Sequence, residues 1–108
     1  MAKTVIDIIE EMKGSDILLL DIRAISLLAD YFVICTAETQ RQTEAMVDSI
    51  VPKAKNLGRL PRVEGEASSG WVLIDIGDVV VNVFSPTQRT RFAFERLWQE
   101  AKTVVRIQ

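Results

Sequence analysis

From Trp71 to Phe84 the chain reads WVLIDIGDVVVNVF, two runs of alternating character that meet at Gly77 and Asp78. Period-two alternation on either side of a glycine-containing pair is the pattern of a β-hairpin. A two-residue turn at that point sets Ile76 against Val79, Ile74 against Val81 and Val72 against Val83, which makes one side of the hairpin wholly aliphatic. The other side carries Trp71, Leu73, Asp75, Val80, Asn82 and Phe84. A carboxylate and an amide among large apolar groups mark a surface on which something polar docks.

The remaining pattern supplies the other elements. Ala2, Val5, Ile6, Ile9 and Met12 recur at helical spacing, with Thr4 and Asp7 placed as a capping box and Gly14 as the stop. Ile17 to Ile22 is a strand whose run of four aliphatics, ended by Asp21, predicts burial on both faces. Tyr31 to Thr36 is the next strand, and the short connection around Ala24 to Asp30 makes the two antiparallel, because a parallel crossover needs a dozen or more residues. Thr39 with Gln42 forms a second capping box ahead of the stripe Thr43, Met46, Val47, Ile50, Val51, Ala54 and Leu57. Pro52 inside that stripe is expected to kink or split the helix, and Gly58 to end it. Arg59 to Val63 reads as a short strand, and Glu64 to Gly70 as an exposed, mobile loop. After the hairpin, Ser85, Pro86 and Gln88 satisfy the rules for a helix start. Ala93, Phe94, Leu97, Trp98 and Ala101 are the stripe of that helix, and Val104, Val105 and Ile107 either extend it or cross as a tail. The predicted order α-β-β-α-β-β-β-α, with short and long connections, implies one α/β domain over residues 1–108 with a mixed β-sheet and flanking helices.

Composition narrows the function. A chain of 108 residues builds one core. Its 15 acidic and 13 basic residues leave a weak negative charge, so no large basic field draws in nucleic acid. Histidine is absent, which removes the commonest neutral-pH general base and the commonest metal ligand. Cys35, the single cysteine, sits in the apolar run YFVIC and reads as a small buried hydrophobe rather than a reactive thiol. Asp7, Glu10 and Glu11 interrupt any apolar run at the start, against a signal peptide or a membrane span. A soluble cytoplasmic protein is expected.

Two kinds of chemistry remain. Asp21, Asp75 and Asp78 are the carboxylates for a metal-dependent nucleotidyltransferase or phosphotransferase, but that reaction needs them to converge beside a phosphate-cradling segment, and Gly14-Ser15 lacks the spacing of one. Asp78 reads more simply as a turn former. Asp75 and Asn82 belong either to an internal network or to a surface offered to a partner with lysine or arginine. Trp71, at the mouth of the glycine and serine loop, has the placement of an interface anchor, whereas Trp98 lies on a core stripe. Arg41 and Gln42 open a helix, as an anion or partner contact or as an exposed cap. Arg89 and Arg91 are either contacts to RNA phosphate or a solvated pair.

Five blocks in order carry a family resemblance: ADYFVICT at 29–36, RQ at 41–42, EG at 64–65, GWVLIDIGDVVVNVF at 70–84 and ERLWQEA at 95–101. Together they resemble the ribosomal silencing factor, or Iojap-like, family over nearly the whole chain. The resemblance implies a nucleotidyltransferase-like fold without catalysis, cofactor or metal. It implies a translational repressor that binds the large ribosomal subunit through a basic ribosomal protein on the intersubunit face, blocks joining of the small subunit, and forms a homodimer when free. The expected contacts are Trp71, Leu73, Asp75, Asp78, Asn82 and Tyr31, with Arg41, Gln42 and Arg89 as further partner or ribosomal RNA phosphate contacts. The chain departs from the family pattern at Thr36-Ala37-Glu38-Thr39, where a glycine is usual; its loss excludes a turn needing glycine's unusual angles there unless Ala37 accepts strain. It departs again at Asn82, which stands where a histidine is usual, and at Arg91, which precedes Phe92 where an aromatic pair usually follows the arginine.

Overall fold

The computed structural model describes residues 1–92 and 102–108. Its elements are α1 (Ala2–Glu11), β1 (Ser15–Asp21), β2 (Tyr31–Thr36), α2 (Gln40–Asn56), β3 (Arg62–Glu66), a 3-10 turn (Ala67–Ser69), β4 (Trp71–Asp75), β5 (Val79–Phe84), α3 (Pro86–Phe92) and β6 (Lys102–Ile107). One six-stranded sheet has the order β3-β4-β5-β2-β1-β6. β2 and β5 run parallel and every other neighbouring pair is antiparallel, so the sheet is mixed as expected. The expected stripe of Ala93, Phe94, Leu97, Trp98 and Ala101 lies outside the described residues.

The hairpin register matches the alternation: Val72 pairs Val83, Ile74 pairs Val81, and the Ile76 N–H donates to the Val79 carbonyl at 2.9 Å. Because neighbouring strands share the pleat, the aliphatic side continues through Val33 and Cys35 of β2 and Ile17 and Leu19 of β1. Val5, Ile6 and Ile9 of α1 and Met46, Ile50 and Ala54 of α2 pack on it as the main core. The opposite side gathers Leu18, Leu20, Ile22, Ala29, Ile34 and Phe84, with Phe32, Trp71 and Val80 packed against them. β1 is therefore buried on both faces from Ile17 to Leu20, as its run of four aliphatics requires.

Several local expectations change. α1 begins at Ala2 with Met1 at its cap position and no side-chain cap bond, so Thr4 lies inside the helix and Asp7 pairs with Lys3 instead. The helix ends before Gly14, and Lys13 takes the left-handed conformation with φ 67°. Thr39 does cap α2, accepting from the Gln42 N–H at 3.0 Å. Pro52 neither ends nor splits α2. It lies on the exposed side beside exposed Asp48, where the carbonyl that loses its donor reaches water. Ala37 is not strained: it is buried, its N–H donates to the Phe84 carbonyl at 2.8 Å, and among the described non-glycine residues only Lys13 and Asp16 have positive φ.

The segment read as a mobile loop is the largest revision. Glu64, Gly65 and Glu66 belong to β3, paired with Leu73, Val72 and Trp71, and the 3-10 turn follows. The strand expected at Arg59 to Val63 thus begins at Arg62 and runs on to Glu66, and Gly65 conceals that second half in the sequence. Its φ of 87° and the 2.4 Å that an added Cβ would leave to the Trp71 carbonyl oxygen require glycine at this close approach. At the other end, the Val104 to Ile107 segment is neither helix nor loose tail but part of β6, antiparallel to β1.

Candidate functional site

Trp71 starts β4 directly after Gly70, whose φ of 83° turns the chain out of the 3-10 segment. A Cβ at position 70 would come within 2.7 Å of the Ser85 hydroxyl and of Gln88 Cγ, so the turn is packed against the start of α3. Ser85 caps that helix by accepting from the Gln88 N–H at 3.2 Å, and its own N–H donates to the Gly70 carbonyl at 2.9 Å. The Gln88 amide then donates to the Ser69 carbonyl at 3.3 Å. Two turns are thereby fixed around the tryptophan.

The indole of Trp71 stacks on Phe84, its cross-strand partner, with centroids 5.2 Å apart and planes at 28°. Its Nε1–H donates to Asn82 Oδ1 at 3.2 Å. The rest of the tryptophan, only partly covered, borders a cleft of about 380 Å3 lined also by Glu64, Gly65, Ser69, Leu73 and Gln88. Leu73 lies between Asn82 on β5 and Glu64 on β3. Arg62, Glu64 and Glu66 share this side of the sheet with Asp75, giving it an acidic balance. Such a cleft, apolar in its walls and acidic at its rim, suits a basic protein surface that carries an apolar anchor.

Several expected contacts are placed elsewhere. Asn82 is on the mixed side but is 0% exposed, so it supports Trp71 from below and does not meet a partner directly. Tyr31 points to the opposite side of the sheet, toward the main core, because it is in phase with Val33 and Cys35. There Arg23 lies 5.5 Å over its ring and binds Asp21 through two nitrogens, at 3.0 and 2.7 Å, and the carboxylate raises the guanidinium pKa. Asp75 remains partly exposed beside Leu73, and its Oδ1 accepts from the Gly77 N–H at 2.9 Å, which closes the hairpin turn. Asp78 is architectural: its side chain pairs with Arg59 and its carbonyl accepts from the N–H groups of Asp30 and Tyr31, at 2.8 and 3.0 Å. The three carboxylates of the transferase reading thus have separate partners, with Asp21 and Asp75 on opposite sides of the sheet.

Gln42 is also internal. Its carbonyl accepts from the Glu38 N–H at 2.6 Å and its amide donates to the Met12 carbonyl at 2.8 Å, which ties the start of α2 to the end of α1. Arg89 donates to the Asp16 carbonyl at 2.9 Å and to the Thr36 hydroxyl at 3.1 Å, holding α3 to the irregular start of β1 and the end of β2. Arg41 alone of this group is exposed. Cys35 is buried in the main core, and desolvation pushes its thiol up to about 12 against a smaller opposing effect of Arg89.

Sequence reasoning missed Glu64, Gly65, Ser69 and Gln88 as parts of one cleft. The available signal was the charge alternation Arg62, Glu64, Glu66 ahead of a hairpin, which places three charged groups on one face of a strand.

A one-domain mixed sheet with helices on its aliphatic side and a tryptophan-lined cleft on the other defines a small binding module. Over residues 1–108 the chain matches the family described as ribosomal silencing factor during starvation. It is 40% identical over 93 residues to the ribosomal silencing factor of Bacillus subtilis, covering 85% of this chain and 79% of that protein. It is 36% identical over 100 residues to that of Halalkalibacterium halodurans, covering 92% and 86%. A crystal structure of a Chromobacterium violaceum protein superposes with a TM-score of 0.85 at 36% identity, over 91% of this chain and 82% of that one. The chain belongs to the ribosomal silencing factor family, ribosome-associated repressors of translation not known as enzymes.

Proposed function

We propose that this chain binds the large ribosomal subunit through the Trp71 cleft, taking a basic surface of a ribosomal protein on the intersubunit face, and so blocks joining of the small subunit. The observation that carries the reading is the pairing of partly exposed Trp71 and Leu73 with Glu64 in the cleft and with Glu66 and Asp75 on the same side of the sheet. Tryptophan is the residue most often found to dominate binding energy, and acidic rims steer basic partners. Asn82 acts indirectly, by holding the indole. Exposed Arg41 is the remaining candidate for ribosomal RNA phosphate, since Arg89 and Gln42 are engaged within the fold. The nucleotidyltransferase-like outline is a scaffold in this reading, no catalytic step is assigned, and the protein acts in the cytoplasm. The free chain pairs with a second copy of itself.

Light scattering from purified subunits tests the reading. Preincubating large subunits with the protein is expected to suppress joining with small subunits in proportion to the large subunits occupied. Unchanged joining at saturating protein would overturn it.

A further inference from the structure

We infer that β3 is the seam at which two copies of this chain join, through an antiparallel pairing centred on Val63. The inference deepens the self-association named above and rests on that reading. All five residues of β3 are exposed, and the strand stands at one end of the sheet with only β4 beside it. An open edge presents unpaired N–H and C=O groups that template another strand. The register says which groups these are. Ile76 bonds Val79 across the hairpin, so Ile74 and Val72 point their backbone groups at β5, while Trp71, Leu73 and Asp75 point theirs at β3. Glu66, Glu64 and Arg62 answer them, which leaves Val63 and Gly65 with backbone groups directed outward.

Two copies meeting at Val63 about a two-fold axis exchange both Val63 N–H and C=O bonds. The same register sets Arg62 of each copy opposite Glu64 of the other, with the Gly65 N–H toward the other copy's Pro61 carbonyl. Opposite charges directly across strands stabilise the pairing and like charges oppose it. Arg62 and Glu64 are 75% and 66% exposed at 3.8 Å, a loose pair within one chain whose charges remain accessible to the other copy. Val63 is 45% exposed. The other edge is less suited, because β6 shifts register against β1 and its charged residues, Lys102 and Arg106, are both basic. Pairing β3 with β6 of a second copy would not close and would grow into filaments.

Sedimentation of the full chain with charge reversals tests the seam. Arg62→Glu should weaken the wild-type dimer about tenfold, and Arg62→Glu combined with Glu64→Arg should restore it. Val63→Cys should form a disulfide-linked dimer on mild oxidation, since residues facing each other in a bonded antiparallel pair have Cα atoms about 5.5 Å apart. A wild-type chain that stays monomeric at high concentration defeats self-association itself. A wild-type dimer indifferent to Arg62→Glu, or one that Val63→Cys does not cross-link, leaves self-association standing and removes the β3 seam. Growth beyond dimers also overturns it.

Discussion

The two sides of the sheet obey different rules. On the aliphatic side the hairpin residues are chosen for burial alone: Val72, Ile74, Val79, Val81 and Val83 are all at most 2% exposed, and helices α1 and α2 cover them. On the mixed side burial grades along the strands, from Phe84 and Asn82 at 0% to partly exposed Trp71, Leu73 and Asp75. Polar groups there serve the protein's own geometry, with Asn82 on the indole and the Asp75 carboxylate on the hairpin turn. A polar residue in an apolar strand is therefore not by itself a contact for a partner. What distinguishes the site is the cleft that those polar groups hold in shape.

Ile74→Ala should give the largest loss of stability, about 2–5 kcal/mol by urea unfolding, because it opens a cavity where helices and sheet are closely packed. Val80→Ala, one strand over and on the mixed side, should cost clearly less. Equal losses would erase the distinction between the sides. Arg89→Ala should cost about 2 kcal/mol by the same measurement, since a charged donor is removed from the Asp16 carbonyl and the Thr36 hydroxyl. A loss of ribosome affinity with full stability would instead return Arg89 to the role of a phosphate contact.

Asp75→Ala should cost about 1 kcal/mol through the lost turn bond, whereas Asp75→Asn retains the accepting oxygen and most of the stability. The asparagine variant then isolates the charge at the cleft rim, which a subunit titration reads. At neutral pH the last effect, a loss of stability, is absent, and it emerges only in alkali. Folding raises the Cys35 pKa from 9.0 to about 12, so the folded state favours the neutral thiol. Its contribution is fully present below pH 9 and declines as pH rises toward 12. Cys35→Val should flatten that part of the stability curve, and an aromatic disulfide reagent should label Cys35 only after unfolding.

Much of this was legible in the chain because alternation is a strong signal wherever one face is wholly apolar. The hairpin register, the Tyr31–Thr36 strand and the Thr39 and Ser85 caps follow from period and cap chemistry. β3 was expected at Arg59 to Val63 but spans Arg62–Glu66, and its second half was hidden because its side chains are exposed and Gly65 is required by an approach of the Trp71 carbonyl that no local pattern reveals. Tyr31, expected among the contacts, faces the main core because it pairs with Val79, a register between β2 and β5 that β2 alone does not reveal. Asp75 looked unexplained as a strand residue because its partner is a backbone N–H two residues away in the turn.

The central claim is that Trp71 anchors the partner. Cosedimentation of a folded Trp71→Ala variant with purified large ribosomal subunits tests it most directly, with circular dichroism showing that the fold is retained. Binding should weaken by at least about 2 kcal/mol, roughly thirtyfold, as for the loss of a central tryptophan. A folded Trp71→Ala protein that sediments with large subunits as the unaltered chain does would contradict the claim.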